Sequence, residues 1–476
     1  LEFHMLRFCQ LVILTQLLLT KTYAQQEEPL ILDDSVSFDA ELAIDDDIFG
    51  NVFDEDTSST TSSWFEDFTV RVSQQFFGQV NNHSVEPLPG FVFPREAETE
   101  NNRLGINVRY QNAFAPGWLL QASGQIRSYW KDDYEYEANG DQIDMDYRVN
   151  ELFLQRSFDQ HSIKFGRQTV VWGETVGNSV LDVINHFEFR DLSIIDIEDA
   201  RLNQWMVVWD YFGDSGQFST FVNLYPEFNP APVRGSPFFF EPAFNITDYD
   251  RDDNPFFEIG TQYRLSFEGS DISFMAAYLI ENQLRYEDPV TGIGDAIARK
   301  NDFVLLGFSA NRAIGKLLLN FDLAYSHNVL ADSFSFPGTS SLASPLDLKK
   351  NQVGTSFGFE YAVSNEQNVS LGIQAQKLLD EDEGLLPGQQ LINDGMFGSW
   401  LVRYSNNLMN GDLVLSSTLQ GDLDANSFFA MFDAVYTISD NWAINAQIIS
   451  ISANNSTPLV FFDEDVRLGA TITYSF

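Results

Sequence analysis

From Phe68 onward, apolar and polar residues alternate with a period of two. Ser427 to Ile438 sets Phe428, Ala430, Phe432, Ala434, Tyr436 and Ile438 on one face. Phe256 to Phe267 sets Phe257, Ile259, Thr261, Tyr263, Leu265 and Phe267 on one face, and Glu258, Gly260, Gln262, Arg264 and Ser266 on the other. This is the pattern of a half-buried strand. It predicts eighteen strands, near 66–80, 102–112, 118–130, 146–157, 161–169, 203–212, 217–225, 256–268, 271–282, 301–312, 316–328, 352–363, 366–378, 396–406, 411–422, 427–439, 441–451 and 465–476. Most are close to the ~9–11 residues that cross a bilayer at a tilt.

The connections between them alternate in length. Short turns such as Ala113–Gly117, Gly213–Gly216, Glu268–Ser270, Ala313–Gly315 and Ser364–Glu366 join strands in pairs. Between the pairs lie longer stretches, 131–145, 170–202, 226–255, 283–300, 329–351 and 379–395. Short turns at one end and long loops at the other predict an all-β, up-and-down antiparallel transmembrane β-barrel. A soluble sandwich has no reason to keep that rhythm, and an even strand count returns both ends of the chain to one side.

The residues before the first strand divide into three pieces. Leu1–His4 precede Met5 and have the look of a cloning scar. Residues 5–24 carry Arg7, an apolar stretch from Leu11 to Leu19 and Thr22-Tyr23-Ala24, which is the order of a secretory signal peptide. Residues 25–65 are acidic, contain no Lys or Arg and end in the run Thr57–Ser63. That composition predicts a flexible periplasmic segment, with a lumen plug as the alternative. Residues 66–476 are then the barrel. In its last strand Val466, Leu468, Ala470, Ile472, Tyr474 and Phe476 alternate outward, and the chain stops on the aromatic. This resembles the signal recognised by the barrel-assembly machinery of Gram-negative bacteria. It implies the outer membrane, with lipid and lipopolysaccharide as surroundings.

Composition removes several alternatives. The 476 residues hold 69 Asp and Glu against 27 Lys and Arg, a net charge of −42. Nucleic acid is no partner for such a chain, since phosphate binding needs cations. One Cys excludes a disulfide framework and a Cys-based zinc site. No run of 18 apolar residues occurs, which excludes a helical membrane protein. With 44% hydrophobic residues and 43 Phe, the chain is not disordered.

The acidic excess falls in the loops and the N-terminal segment. Inward positions of the strands instead give Arg103, Arg109, Arg127, Lys164, Arg264, Lys316, Arg403 and Arg467 against Asp210, Glu258, Glu281, Asp322, Glu360 and Asp433. Such residues either line water or brace one another across the lumen, and both readings stand at this point. The acidic runs Asp380–Glu383 and Asp248–Asp253 have the ligand type for Ca²⁺ without a complete calcium-loop pattern, so a solvated surface is the preferred reading. No other metal or cofactor is expected.

Three stretches bear on function. Gly354-Thr355-Ser356-Phe357-Gly358 has the form of a hydrolase nucleophile elbow, but it continues an alternating strand, and the last histidine, His327, precedes it. No catalytic site is predicted. Pro237–Phe244 is too apolar for an ordinary surface loop: it folds inward as a constriction, meets an apolar substrate or packs on its neighbours. The third is Gly166-Arg167-Gln168-Thr169-Val170-Val171-Trp172-Gly173-Glu174 with Asp182-Val183-Ile184-Asn185. It resembles a family of proteobacterial outer-membrane β-barrels of unknown function, related in architecture to the alginate-export type of porin. This chain departs from that family at His186, where the family has Pro. The resemblance implies a channel or export component for apolar or polymeric cargo.

Within this motif Gly166 is a small inward residue, Trp172 suits an interfacial girdle and Glu174 opens the longest connection, 170–202. Its apolar Val180, Leu181, Val183, Ile184, Phe187 and Phe189 are too many for a water-exposed loop, and long loops are usually functional. Its carboxylates offer partners to Arg103, Arg109 and Arg127, so the loop is predicted to gate the lumen. The expected function is a passive channel for small or apolar solutes. The alternatives are a plugged barrel used in assembly, adhesion or surface interaction, and an ester hydrolase using Ser356.

Overall fold

The eighteen strands expected from the alternation close into one antiparallel sheet in the computed structural model. It describes residues 67–476 except 89–90, 132, 135–144, 176, 178, 189, 192–199, 233–234, 237, 240–245, 248–255, 288–295, 332, 336–347, 381–382, 386–388, 424–426 and 454–457. The chain divides into units 1–59 and 60–476, and the described residues belong to the second. The expected scar, signal peptide and acidic segment to residue 65 lie outside the described residues.

In chain order the barrel strands are β1 (Phe68–Gln79), β2 (Thr99–Ala115), β3 (Trp118–Tyr129), β4 (Met145–Phe158), β5 (His161–Gln168), β6 (Gln204–Gly213), β7 (Gly216–Tyr225), β8 (Glu258–Phe267) and β9 (Ser270–Ile280). They continue as β10 (Asp302–Ile314), β11 (Leu317–Leu330), β12 (Lys349–Ala362), β13 (Gln367–Leu378), β14 (Met396–Leu408), β15 (Leu413–Asp422), β16 (Phe428–Ser439), β17 (Trp442–Ser452) and β18 (Val466–Ser475). Each pairs with the next. The ring closes between β1 and β18, in register from Arg71 opposite Ser475 to Gln79 opposite Arg467. Closure leaves no unpaired edge, which is the condition for a sheet in lipid.

The outer face is an apolar belt in which Phe76, Phe165, Phe274, Leu306, Phe357 and Leu468 are exposed. Phe and Tyr suit such a surface because their rings cover wide pleated area and their β-propensity is high. Trp442, Tyr474 and Phe476 meet edge to face at the short-turn end, with centroids 4.8 and 4.7 Å apart. There the chain reverses tightly, with Gly269 at φ +67° and Gly315 at φ +60°, where a side chain would be strained.

The register shifts in several strand pairs, among them β1–β2, β6–β7, β11–β12 and β16–β17, and one further shift reverses the parity of a strand over its whole second half. The β3–β4 register shifts between Ala122 and Gly124, so a β-bulge lies in this pair. Outward residues of β4 are Tyr147 and Val149 before it but Leu152 and Leu154 after it. The long connections also hold short pieces that periodicity does not reveal. A hairpin joins His83–Leu88 to Phe91–Arg95, and His186–Phe187 pairs with Arg201–Leu202.

Candidate functional site: the lumen and the loop folded into it

After β5 the chain turns into the barrel instead of away from it. Gly173 takes φ +96°, and a Cβ there would sit 1.9 Å from Ser179 Oγ, so glycine permits the bend. The loop then caps one inward carboxylate. Asp322 of β11 is fully buried; Glu174 N and Thr175 N each donate to it at 3.1 Å, Ser179 Oγ at 2.8 Å and Ser309 Oγ of β10 at 2.7 Å. Val180 N donates to Ser356 Oγ of β12 at 2.8 Å. Arg264 of β8 holds Glu174 at 2.8 Å. Burial raises the Glu174 pKa, against the opposing pull of Arg264.

Apolar packing completes the docking. Trp172, Val180, Leu181 and Ile184 are buried with the inward Met206, Phe221, Met275, Leu279 and Leu305. Trp172 meets Phe221 edge-on at 5.5 Å. The wall is thinned to receive them: a Cβ on Gly260 would be 2.7 Å from Trp172, and one on Gly307 would be 2.7 Å from Leu181. The neck is tied by Asn185, whose amide exchanges bonds of 3.2 and 2.8 Å with the Val170 backbone. Asn282 donates to the carbonyls of Val183 and Asn185, and Arg201 holds Asp182 at 2.7 Å. Burial raises the Asp182 pKa against that arginine.

The returning limb crosses to the opposite wall. Asp191 pairs with Arg103 of β2, whose guanidinium also holds Asp133 at 2.8 Å. Glu188 meets Arg148 of β4 at 3.3 Å and Arg190 at 2.7 Å, while Arg190 approaches Asp146 at 3.5 Å. His186 lies 3.6 Å from Glu227. Burial and the nearby Arg167 and Arg148 outweigh that carboxylate, and the His186 pKa falls to about 4.

The connection after β7 also spans the mouth. Phe238 is buried among Phe77 of β1 and Ile449 and Ile451 of β17, with Arg467 of β18 stacked on its ring at 4.8 Å. These strands lie nearly across the ring from β7, a span that about a dozen residues, extending at most ~40 Å, can make. Arg467 is further engaged by Glu100 at 3.2 Å and Asp465 at 3.0 Å, and Arg95 holds the same two carboxylates.

The predicted lumen residues therefore separate into groups. Asp322, Glu258 and Glu360 face inward but are buried: Glu258 accepts from Ile280 N and Asn223, and Glu360 from Asn320. Glu281, beyond the end of β9, accepts from Leu330 N and Asn301. Arg103 and Arg467 belong to the mouth networks. Arg109, Arg127, Lys164, Asp210, Arg264, Arg403 and Asp433 face the lumen and are partly exposed. Lys316 is corrected: β11 begins at Leu317, so Lys316 lies in the turn and donates to Val363 O.

Trp172 is also corrected. It is not a girdle residue but lies 2% exposed inside the barrel, because the chain bends inward beyond β5. Of its neighbours in the motif, Gly166 faces inward opposite Phe153, and Gln168 bonds the Met206 carbonyl. Arg167 sits at the outer rim with both oxygens of Glu227, at 3.0 and 2.8 Å. Ser356 is covered by the loop. His327 is on the exposed outer face with Asn351. Of the acidic runs, Asp248–Asp253 lies outside the described residues. The Asp380 and Glu383 carbonyls accept from the Lys350 ammonium. Arg71, Arg148, Ser309, Asp133 and Glu227 also belong to the lumen or its loop contacts, and no motif in the sequence marks them.

Among the described residues, one arc of the inner wall stays largely uncovered, the returning limb reaching only Arg148 and Asp146 of it. Along β1 to β4, inward residues align in rungs: Arg71, Asn107, Gln125 and Arg148; then Ser73, Gly105, Arg127 and Asp146 above; then Thr69, Arg109, Ser123 and Glu151 below, where Thr69 is exposed and the other eleven are half-exposed. Lys164 of β5 lies lower still, opposite Gln155.

Residues 61–476 match the profile of the family described as "Protein of unknown function (DUF1302)", and the chain belongs to that family. Its architecture is the closed eighteen-stranded antiparallel barrel described above. No curated protein matches it. Solved structures similar to it include OccAB1 of Acinetobacter baumannii, 10% identical with a TM-score of 0.49 over 89% of this chain and 99% of that one. OccK8 (OprE) of Pseudomonas aeruginosa is 10% identical with a TM-score of 0.49, over 87% and 99%. OmpT in trimer form, an outer membrane protein of Vibrio cholerae, is 10% identical with a TM-score of 0.43, over 86% and 98%.

Proposed function

We propose that the protein is a passive channel in the outer membrane of a Gram-negative bacterium, its lumen narrowed by loop 170–202. The observation that carries this reading is the uncovered arc of β1 to β5. A barrel meant only as a brace or anchor has no use for half-exposed, unburied polar side chains around its interior, whereas a water path needs them. The same lining favours small polar solutes over the apolar ones that the sequence suggested. The short-turn end would face the periplasm and the long loops the outside, with lipid and lipopolysaccharide around the belt. Tyr474 and Phe476 would be read by the barrel-assembly machinery.

The alternative, a plugged barrel with a surface role, draws support from the strap that carries Phe238 across the mouth. Planar-bilayer recording separates the two. The refolded protein should conduct in steps, and deletion of residues 176–198 should raise the step size severalfold. A folded barrel with no conductance would favour the plug, and an unchanged step in a folded deletion would put the loop outside the current path.

A further inference from the structure

We infer that the passage is selective for anions, and that carboxylate- or phosphate-bearing solutes are the class it takes along the Arg103–Arg127–Arg109 wall. This rests on the channel reading above and concerns the same lumen.

The charge around the inner wall is one-sided. From β1 to β5 the inward residues include Arg71, Arg103, Arg109, Arg127, Arg148 and Lys164 against Glu100, Asp146 and Glu151. From β6 to β13 the inward acids prevail, with Asp210, Glu258, Asp271, Asp322 and Glu360 against Arg264 and the buried Lys350. That arc is the one covered by residues 172–184. Its carboxylates are engaged there: Asp322 by four donors, Glu258 by two, Asp210 by Ser219 at 2.6 Å and Asp271 by Asn311 at 3.3 Å. Burial of Glu258, Asp322 and Glu360, with Arg71, Arg109, Arg127 and Lys164 left half-exposed, puts water in contact mainly with the basic arc.

Two features of that arc point to a ligand. The first is donor capacity left over. The Nε atoms of Arg109 and Arg148 are buried and have no acceptor among the described residues. An arginine fork fits carboxylate and phosphate oxygens better than chloride or a neutral solute. The second is what already occupies the upper end. Asp191 sits on Arg103 and Glu188 on Arg148, both on the returning limb of the loop. The chain's own carboxylates thus take the places where an incoming anion would first meet the wall. Inward positions on one strand recur every ~6.8 Å, so Arg103 and Arg109 mark a stretch of about 20 Å. A carboxylate displacing Asp191 from Arg103 would find Arg127 on the neighbouring strand and Arg109 beyond it.

The test is the reversal potential of the wild-type channel in a KCl gradient, followed by citrate or inorganic phosphate on one side. Chloride should permeate better than potassium, and millimolar citrate or phosphate should reduce the chloride current. Arg109→Glu with Arg127→Glu should invert the preference; if that pair does not fold, Arg109→Gln with Arg127→Gln should bring the permeability ratio towards unity. Asp191→Asn with Glu188→Gln should raise the chloride preference at least twofold. A cation-selective wild type, or a ratio unmoved in a folded Arg109/Arg127 variant, would overturn this inference and leave the channel reading intact. A folded protein that never conducts would overturn both.

Discussion

Replacing Asp322 with alanine should release the inward loop while leaving the barrel closed. Three of the four bonds to this carboxylate come from the loop, through Glu174 N, Thr175 N and Ser179 Oγ. Each bond to a charged acceptor contributes roughly 1.5–3 kcal/mol, and the sum is less than additive because water can reach freed donors beside a lumen. A loss of about 3–5 kcal/mol in loop docking is the reasonable range. At ~1.4 kcal/mol per factor of ten, the undocked loop becomes about 10²–10⁴ times more populated. Trp172 on Phe221, Val180 on Ser356 and Glu174 on Arg264 remain, so the loop should visit the undocked state and return. Single-channel records should show a second, higher conductance level that the wild type lacks. The thiol of Thr175→Cys, whose side chain makes no bond to Asp322, should react with a small thiol reagent at least a hundredfold faster in the Asp322→Ala background. If the heat-modifiable gel mobility is native and neither readout changes, Asp322 does not hold the loop.

The loop neck should also respond to acid through His186. Its pKa in the folded protein, about 4, lies below the ordinary value of 6.5, so the docked state prefers the neutral ring. That preference is fully present above pH ~6.5 and is lost as pH falls towards 4, at about 1.4 kcal/mol per pH unit and up to about 3 kcal/mol in all. Glu174 and Asp182, whose values are raised by burial, act with the opposite sign, so the comparison that matters is wild type against His186→Asn. With Thr175→Cys as the probe in both, thiol accessibility between pH 7 and 4 should rise more with His186 in place than with Asn; equal slopes would exclude His186. Phe238→Ala should free the strap from β17 and β18, with a local loss in the range of ~3–5 kcal/mol typical of buried Phe. Protease added to intact cells should then cut within 226–239, with the melting temperature of the barrel unchanged; an uncut strap would mean that Phe238 is not its anchor.

The strands were legible because lipid outside and water or loop inside impose opposite polarities on successive residues, and nothing else in the chain competes with that signal. Errors arise where the period is interrupted. The bulge in β4 reverses the parity, which hides Arg148 as an inward residue before it and sets Glu151, Phe153 and Gln155 inward after it. Extending the period through the turn puts Lys316 inward, one residue before the strand begins at Leu317. Trp172 has the identity expected of a girdle, but Gly173 bends the chain within one residue. The apolar positions Val180, Leu181 and Ile184 gave away that loop 170–202 does not face water. Its address did not follow from sequence, because Asp322 meets Glu174 and Thr175 from nearly 150 residues away and a lone inward aspartate carries no mark of its partner.

The chain carries −42 overall, yet the water-accessible arc of its lumen is basic, and the two facts act over different distances. At physiological salt a charge on the outer loops is screened beyond about 8 Å, whereas an ion inside the lumen passes within a few ångströms of Arg127 and Arg109 in a medium of lower dielectric. The wall should therefore decide selectivity at ordinary ionic strength. In ~0.01 M salt the Debye length grows to about 30 Å, and the acidic loops then repel anions from the mouth before they reach the wall. Chloride preference should weaken steadily as both solutions are diluted at a fixed concentration ratio, and neutralising the arginines should matter less at the dilute end. A preference that strengthens on dilution would mean that the mouth itself is electropositive, and the assignment of the loop carboxylates to the outer surface would have to be abandoned.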